Sequence, residues 1–590
     1  MIRTLFVVLS IVFGIITSTA VAQVKDFTPV TQDMLLNPSP DDWLMASRTY
    51  DWQRFSPLKQ INKQNAGQLR MAWARGMAGT GSHENIPIVH QGVMYVINPQ
   101  SIIQALDATN GDLLWEYRRK LPDDLSKFIN FAGRARTIAI YEDMVFYTAP
   151  DGYVVALDAR TGALRWETKT QDYKTYTQHT AGPIVVNGLV ITGRSAPRAE
   201  SGRAGCFIVA HDARTGKEVW KFYTTAAPGE PGGDTWGSVP LEQRMASPWG
   251  LPGAYDPVRK LLYWGIANPR PHTRLKRHAG NVDDIARVAP AELYSNSTVA
   301  LDPATGKLVW YYQHLPGDDW DSDQTEERIL FRTTLNPDPS AVKWINPRIA
   351  RGQQRDVVVE FGEAGGIWVL DRDKGEFLWA IPFPYDTPNY YISRIDVETG
   401  KTYINWDLVL KKEGETHLVC FWDTKNYWPM AYHPGNNSLY IPYFDVCSEH
   451  TAETAAGEGS AKKTVPRPGA DPNKLGGIAK INMSTGRIER FYEGRAPGNG
   501  AVVATAGDLV FWGDLNRRFR AFDADSGKIL WETILGGVIQ NSTITYAVNG
   551  KQYVAVLTGD GGPGTSGPLA VLRDITPPRG HNAIYVFALP

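Results

Sequence analysis

The stretch ALDATNGDLLW, residues 105–115, returns five more times: ALDARTGALRW (156–166), AHDARTGKEVW (210–220), ALDPATGKLVW (300–310), VLDRDKGEFLW (369–379) and AFDADSGKILW (521–531). Every copy has an Asp, a Gly four residues on and a Trp four residues further. A degenerate copy, KINMSTGRIERF (480–491), has Asn482 in place of the Asp and lacks the Trp. The pattern reads as a strand ending in a hairpin turn. Asp caps the turn through its side chain, Gly takes the positive φ, and the returning strand carries an anchoring Trp. Small antiparallel sheets of this kind cannot bury both faces alone, so they stack radially, and a β-propeller is the closed solution. The expected class is all-β, with tryptophan-docking repeats. The repeat Asp and Trp residues are scaffold, and function falls to residues that break the pattern.

The intervals from Asp302 to Asp371 and from Asp371 to Asn482 are too long for one blade, so they contain insertions. Residues 448–474 and 224–248, rich in Gly, Pro and Ala and without periodicity, are expected to be surface loops able to lid a pocket. With Lys plus Arg 61 against Asp plus Glu 62, the chain lacks the basic excess that a nucleic-acid partner requires. MIRTLFVVLSIVFGIITSTAVAQ has the layout of a secretory signal cleaved after Ala22. Residues 23–590 are then expected to form a single propeller catalytic domain, exported to the periplasm and without a membrane span. Three cysteines occur. Cys420 and Cys447 lie at the ends of a strand, turn and strand and are expected to pair in an oxidising compartment. The absence of C-x-x-C-H argues against a covalently attached c-type haem.

One stretch breaks the repeat pattern conspicuously: HLPGDDWDSDQ (314–324) crowds Asp318, Asp319, Asp321 and Asp323 around Trp320. Together with the repeats, SPLKQINKQNAGQLRMAWARG near the start and ATAGDLVFWGDLNRRFRAFDADSGKILWE near the end, it resembles the pyrroloquinoline quinone (PQQ) dependent alcohol dehydrogenases over essentially the whole mature chain. The likeness is nearest to soluble sorbose and polyol dehydrogenases without a haem domain. The resemblance implies an eight-bladed propeller with quinone and metal on its axis. It makes Asp321 the catalytic base beside the metal, with Asp318 and Asp319 as turn residues. Glu200 in GRSAPRAESG and Asn268 in YWGIANPRP resemble the family's metal ligands, joined by Asp321 and Asp323. Carboxylate and amide oxygens are what a hard cation selects. A second acid at Asp323 resembles lanthanide-using members, so the ion is Ca2+ or a lanthanide. The implied quinone-binding set is Glu84, Arg136, Thr180, Ser195, Trp249 as the stacking floor, and Trp428 in NYWPMAY. Such a planar acid needs a flat apolar face and cationic or hydroxyl partners.

Three departures stand out. No adjacent cysteines precede the expected quinone arginine. Where the family carries a basic residue beside the quinone oxygens, FGEAGGIWVLDR places Glu363 or Ala364. Either the alignment slips, Arg134 or Lys425 supplies the cation, or the quinone is tuned differently. Phe444, where asparagine is common before VC, points to a bulky hydrophobic alcohol. The implied activity is oxidation of an alcohol (sugar, polyol or bulky secondary alcohol), with electrons passed to a soluble cytochrome c or similar acceptor. The competing classes are a non-catalytic periplasmic propeller scaffold and a secreted propeller hydrolase or lectin.

Overall fold

The computed structural model describes residues 23–129, 135–196, 198, 201–455, 457–540 and 542–590. Among them, eight sheets of four or five strands follow one another along the chain. Their pairing is antiparallel, in most of them as a simple meander, apart from one short parallel pair between Phe55–Ser56 and Val503–Thr505. The last sheet closes the ring: the early strand Arg70–Gly76 pairs with the final strand Ala583–Ala588. The molecule is therefore a β-propeller, as the repeats require.

The repeat chemistry accounts for the docking of one sheet on the next. Asp158 Oδ1 accepts the backbone N–H groups of Arg160 (2.9 Å) and Thr161 (3.0 Å), which forms the turn. Gly162 follows at φ +73°, and a Cβ there would lie 2.5 Å from the indole of Trp115 in the preceding sheet. That indole lies against the turn and donates to Ala159 O at 2.9 Å. The same step recurs from Trp166 to Ala213 O (2.9 Å) and from Trp220 to Pro303 O (2.9 Å). Each Trp thus fills the space the next glycine vacates, and truncating one to Ala costs about 3–5 kcal/mol. Inner strands such as Val93–Asn98 are buried throughout, while outer strands such as Leu164–Lys169 alternate between exposed and half-buried positions.

The insertions are more ordered than their composition suggests. Val446–Ala452 and Ser460–Pro466 form a hairpin whose first strand pairs with Thr416–Cys420. This corrects the expectation of an aperiodic loop at 448–474: Ser460–Pro466 pairs along its whole length with Val446–Ala452 and is mostly half-buried. Residues 224–248 are likewise anchored, with Trp236 fully buried and donating to Leu293 O at 2.6 Å. Cys420 and Cys447 stand opposite one another in the register and are bridged, while Cys206 is buried and free.

Candidate active site

In an antiparallel meander, the connections between sheets and the turns between second and third strands emerge at one end, whereas the repeat turns emerge at the other. Arg136, Thr180, Trp249, Asp321 and Tyr427 come from connections between sheets; Ser195, Asn268 and Glu363 follow second strands. Side chains from loops of so many sheets meet only at the centre of the ring. There all of these except Asn268, whose N–H lies on Asp323, line a cavity of about 350 Å³.

Its most acidic wall is the 318–323 turn, and the carboxylates divide the work. Asp318 Oδ1 accepts the N–H groups of Trp320 (2.7 Å) and Asp321 (2.8 Å), and Oδ2 that of Ser322 (3.2 Å). Asp319 accepts from Arg274 N (2.5 Å) and Leu410 N (2.7 Å). These two are turn residues, as read from the sequence. The turn they shape holds Asp321 at φ +63° with its carboxylate at the cavity wall.

Asp321 is surrounded by nitrogen. Lys462, from the inserted hairpin, reaches its Oδ2; His272 Nε2 lies 2.7 Å and Arg270 Nη2 3.6 Å from Oδ1. Burial would raise this carboxyl, but His272 and Lys462 outweigh it and hold it well below the usual range. Asp323, two residues on, has different neighbours: Asn268 N–H donates to Oδ1 (3.1 Å) and the Trp249 indole to Oδ2 (2.8 Å). Burial and the nearby Asp321 charge push it up to about 6. Glu363 Oε2 accepts the Asp323 N–H at 3.1 Å, and the Asn426 amide donates to both Glu363 and Asp423. Burial, then Asp323 and Asp423, push Glu363 up; burial raises Asp423 to about 7.

The quinone-binding expectation is largely brought together. Arg136 donates to Trp249 O (2.9 Å) and Gly250 O (3.1 Å) and pairs with Glu84 (2.7 Å) behind the wall. Its guanidinium lies 4.7 Å from the Trp249 ring centre and 3.9 Å from that of Tyr427. Thr180 Oγ1 donates to Trp249 O at 2.7 Å, and Ser195 lines the cavity. Trp428 does not line it. Tyr427 does, donating to Glu84 Oε1 at 2.6 Å, and its neighbour turns into the core at 3% exposure because only one of the two adjacent rings can face the cavity in this bend. Phe444 also leaves the site, packing with Val446, Leu475 and Leu572. Lys425 is committed to Glu327 at 3.0 Å, whereas Glu363 does line the cavity. Glu200 and Arg134 lie outside the described residues.

Two buried atoms test the fit of cofactor and metal. Arg136 Nε and Asn268 Oδ1 have no hydrogen-bond partner among the described residues. The first is a spare cationic donor beside a flat indole, matching a planar acid. The second is a spare amide oxygen beside Asp323, matching a hard cation. Among the described residues no three His, Cys, Asp or Glu side chains are grouped closely enough to hold a metal by themselves.

Fold and site define a propeller enzyme with a buried acid cluster over an aromatic floor. The family model "PQQ: Glucose/ethanol/alcohol dehydrogenase, beta-propeller domain" matches residues 43–383 and 473–554, and the chain belongs to the PQQ-dependent (quinoprotein) alcohol dehydrogenase family. It is an enzyme of alcohol oxidation. It is 32% identical to the quinohemoprotein alcohol dehydrogenase ADH-IIG of Pseudomonas putida, over 89% of this chain and 73% of that one. It is 29% identical to the quinoprotein alcohol dehydrogenase PedH of P. putida, over 86% and 84%. A solved europium-containing methanol dehydrogenase superposes with a TM-score of 0.83 at 26% identity, covering 94% of this chain and all of that one.

Arg270 and Lys462 were missed from the sequence. Arg270 carried a signal, standing two residues after Asn268 in ANPRP. Lys462 sits in a polar insertion and carried none.

Proposed function

We propose that this dehydrogenase oxidises a polar, polyhydric alcohol with PQQ and a hard cation, that Asp321 is its general base, and that it works in the periplasm. The observation that carries the reading is Asp321 at the wall of a cavity floored by Trp249, beside Asp323 and the spare Asn268 oxygen. When bound, the cation and quinone supply a polarised acceptor for the electrons and hydrogen of the alcohol carbon. The chain does the rest. Trp249 presents a flat face, Arg136 offers its spare N–H to an acid group, and Asp321 takes the hydroxyl proton. Asn268 and Asp323, with Glu200 expected to join them, would hold the cation. The carboxylates of Asp323, Glu363 and Asp423 favour a trivalent lanthanide over calcium, since their repulsion is relieved more by the higher charge.

Gln178, Ser247, Asn426 and Ser566 along the wall support a hydroxyl-rich substrate over a hydrophobic one. The Cys420–Cys447 bridge supports export to an oxidising compartment. Electrons would pass to a separate acceptor such as a soluble cytochrome c. The test is dye reduction by apo-protein given PQQ with calcium or lanthanum, against ethanol, sorbitol and a bulky secondary alcohol. Turnover on sorbitol that requires quinone and is faster with lanthanum is expected. Preference for the bulky alcohol would overturn the substrate reading, and no turnover with either metal would overturn the whole.

A further inference from the structure

Asp321 and Asp323 are two residues apart on one turn, yet their oxygens meet opposite surroundings. At Asp321, Lys462 takes Oδ2 and His272 Nε2 stands 2.7 Å from Oδ1. Lys462 also donates to His272 Nδ1 at 3.2 Å. An ammonium is donor only, so Nδ1 is the bare nitrogen and Nε2 carries the proton, facing the carboxylate. Lys462 is itself fixed: its ammonium lies 5.1 Å from the Trp422 ring centre, and that indole donates to Asp321 O at 2.7 Å. His272 is fixed from behind, since its carbonyl and that of Pro271 accept from Arg277. The lysine, histidine and tryptophan form a closed frame around one carboxylate. At Asp323 the oxygens accept only uncharged donors, the backbone N–H of Asn268 and the Trp249 indole N–H, and the Asn268 side-chain oxygen is itself without a partner among the described residues.

We infer that Lys462 and His272 are positioning residues that hold Asp321 as a base and keep it out of the metal's coordination, leaving the cation to Asp323 and Asn268. The inference rests on the functional reading above. A carboxylate already neutralised by a lysine has little to offer a cation. One held at Oδ2, with Oδ1 left without a hydrogen bond among the described residues, keeps a lone pair for the alcohol. The frame is completed only by the inserted hairpin, so an insertion outside the repeats supplies a part of the active site.

The experiment is a terbium(III) titration followed by tryptophan-sensitised luminescence, on the full chain with and without PQQ, beside steady-state kinetics. Asp321→Asn and Lys462→Met should bind terbium within about three-fold of the parent, while Asp323→Asn should bind at least about ten-fold more weakly. Lys462→Met should lower kcat by about ten-fold or more with little change in KM, and Lys462→Arg should recover most of it, since a guanidinium reaches both partners and a merely structural gap would not be repaired by it. Loss of terbium binding in Asp321→Asn equal to that in Asp323→Asn would overturn the division. So would a ten-fold gain in affinity in Lys462→Met, which would mean the lysine stands where the metal belongs. If the parent binds neither terbium nor quinone, the functional reading falls and the division with it.

Discussion

The aspartates of the repeat turns and those of the 318–323 turn are chemically identical and do different things. Asp158 spends its Oδ1 on backbone N–H groups at the outer end of a sheet, and its Oδ2 on Arg165. Asp318 does the same kind of work inside, capping three N–H groups, and by doing so presents Asp321 to the cavity. A carboxylate is structural when backbone donors saturate it and becomes available for chemistry when the turn around it is held by someone else. The crowding of acids around Trp320 is thus two turn-builders carrying Asp321 and Asp323 to the cavity wall.

That contrast is broken most strongly at the working end. Asp321→Asn should reduce kcat by about three orders of magnitude, as expected for removal of a general base, and should also lower the thermal transition, because Lys462 and His272 lose their buried counter-charge. Asp318→Ala should fail differently, because three buried N–H groups lose their acceptor: a loss of about 3 kcal/mol in denaturant unfolding together with lower turnover. If Asp318→Ala left stability untouched, the turn would not depend on it.

Removing the Cys420–Cys447 bridge by a double change to Ser tests whether the inserted hairpin is held independently of the ring. A loss of about 3 kcal/mol is expected, with kcat falling as Lys462 loosens. A smaller effect should follow at the outer turns, where Asp158→Ala should cost about 1 kcal/mol with no change in kinetics. Acid titration offers a last contrast. Glu292 is buried, which would raise it, but Arg277 and His278 outweigh burial and bring it down to about 2. Its folded value lies below the 4.5 of a free glutamate, so its contribution to stability is complete above that pH and lost as pH falls toward 2. Glu292→Gln should flatten the stability profile across that window, measured by urea unfolding at successive pH values.

The fold was legible because its cause is local. Asp, Gly and Trp at fixed spacing make a turn and a docking surface wherever they occur, and the Trp115 to Gly162 step follows from the repeat alone. The candidate site was named from an order of residues that resembles a known family, and the structure brings Arg136, Thr180, Ser195, Trp249, Asp321 and Asp323 to one cavity, with the Asn268 N–H on Asp323. Tyr427 rather than Trp428 lines the cavity, and adjacent aromatics give no sign in the sequence of which faces inward. Phe444 was misjudged because its position beside a cysteine says nothing about which cluster it joins.

The sequence by itself determined the repeat, its turn chemistry and the residues that depart from it. Only the tertiary structure decided that Lys462 meets Asp321 across 141 residues, that His272 stands beside the same carboxylate, and that Glu363 faces the cavity with Asp323 and Asn426 as its partners. The reason is physical. Turn capping and glycine conformation are set by neighbours a few bonds away, whereas the charge around a buried carboxylate is set by whichever distant loops the closed ring brings to its centre.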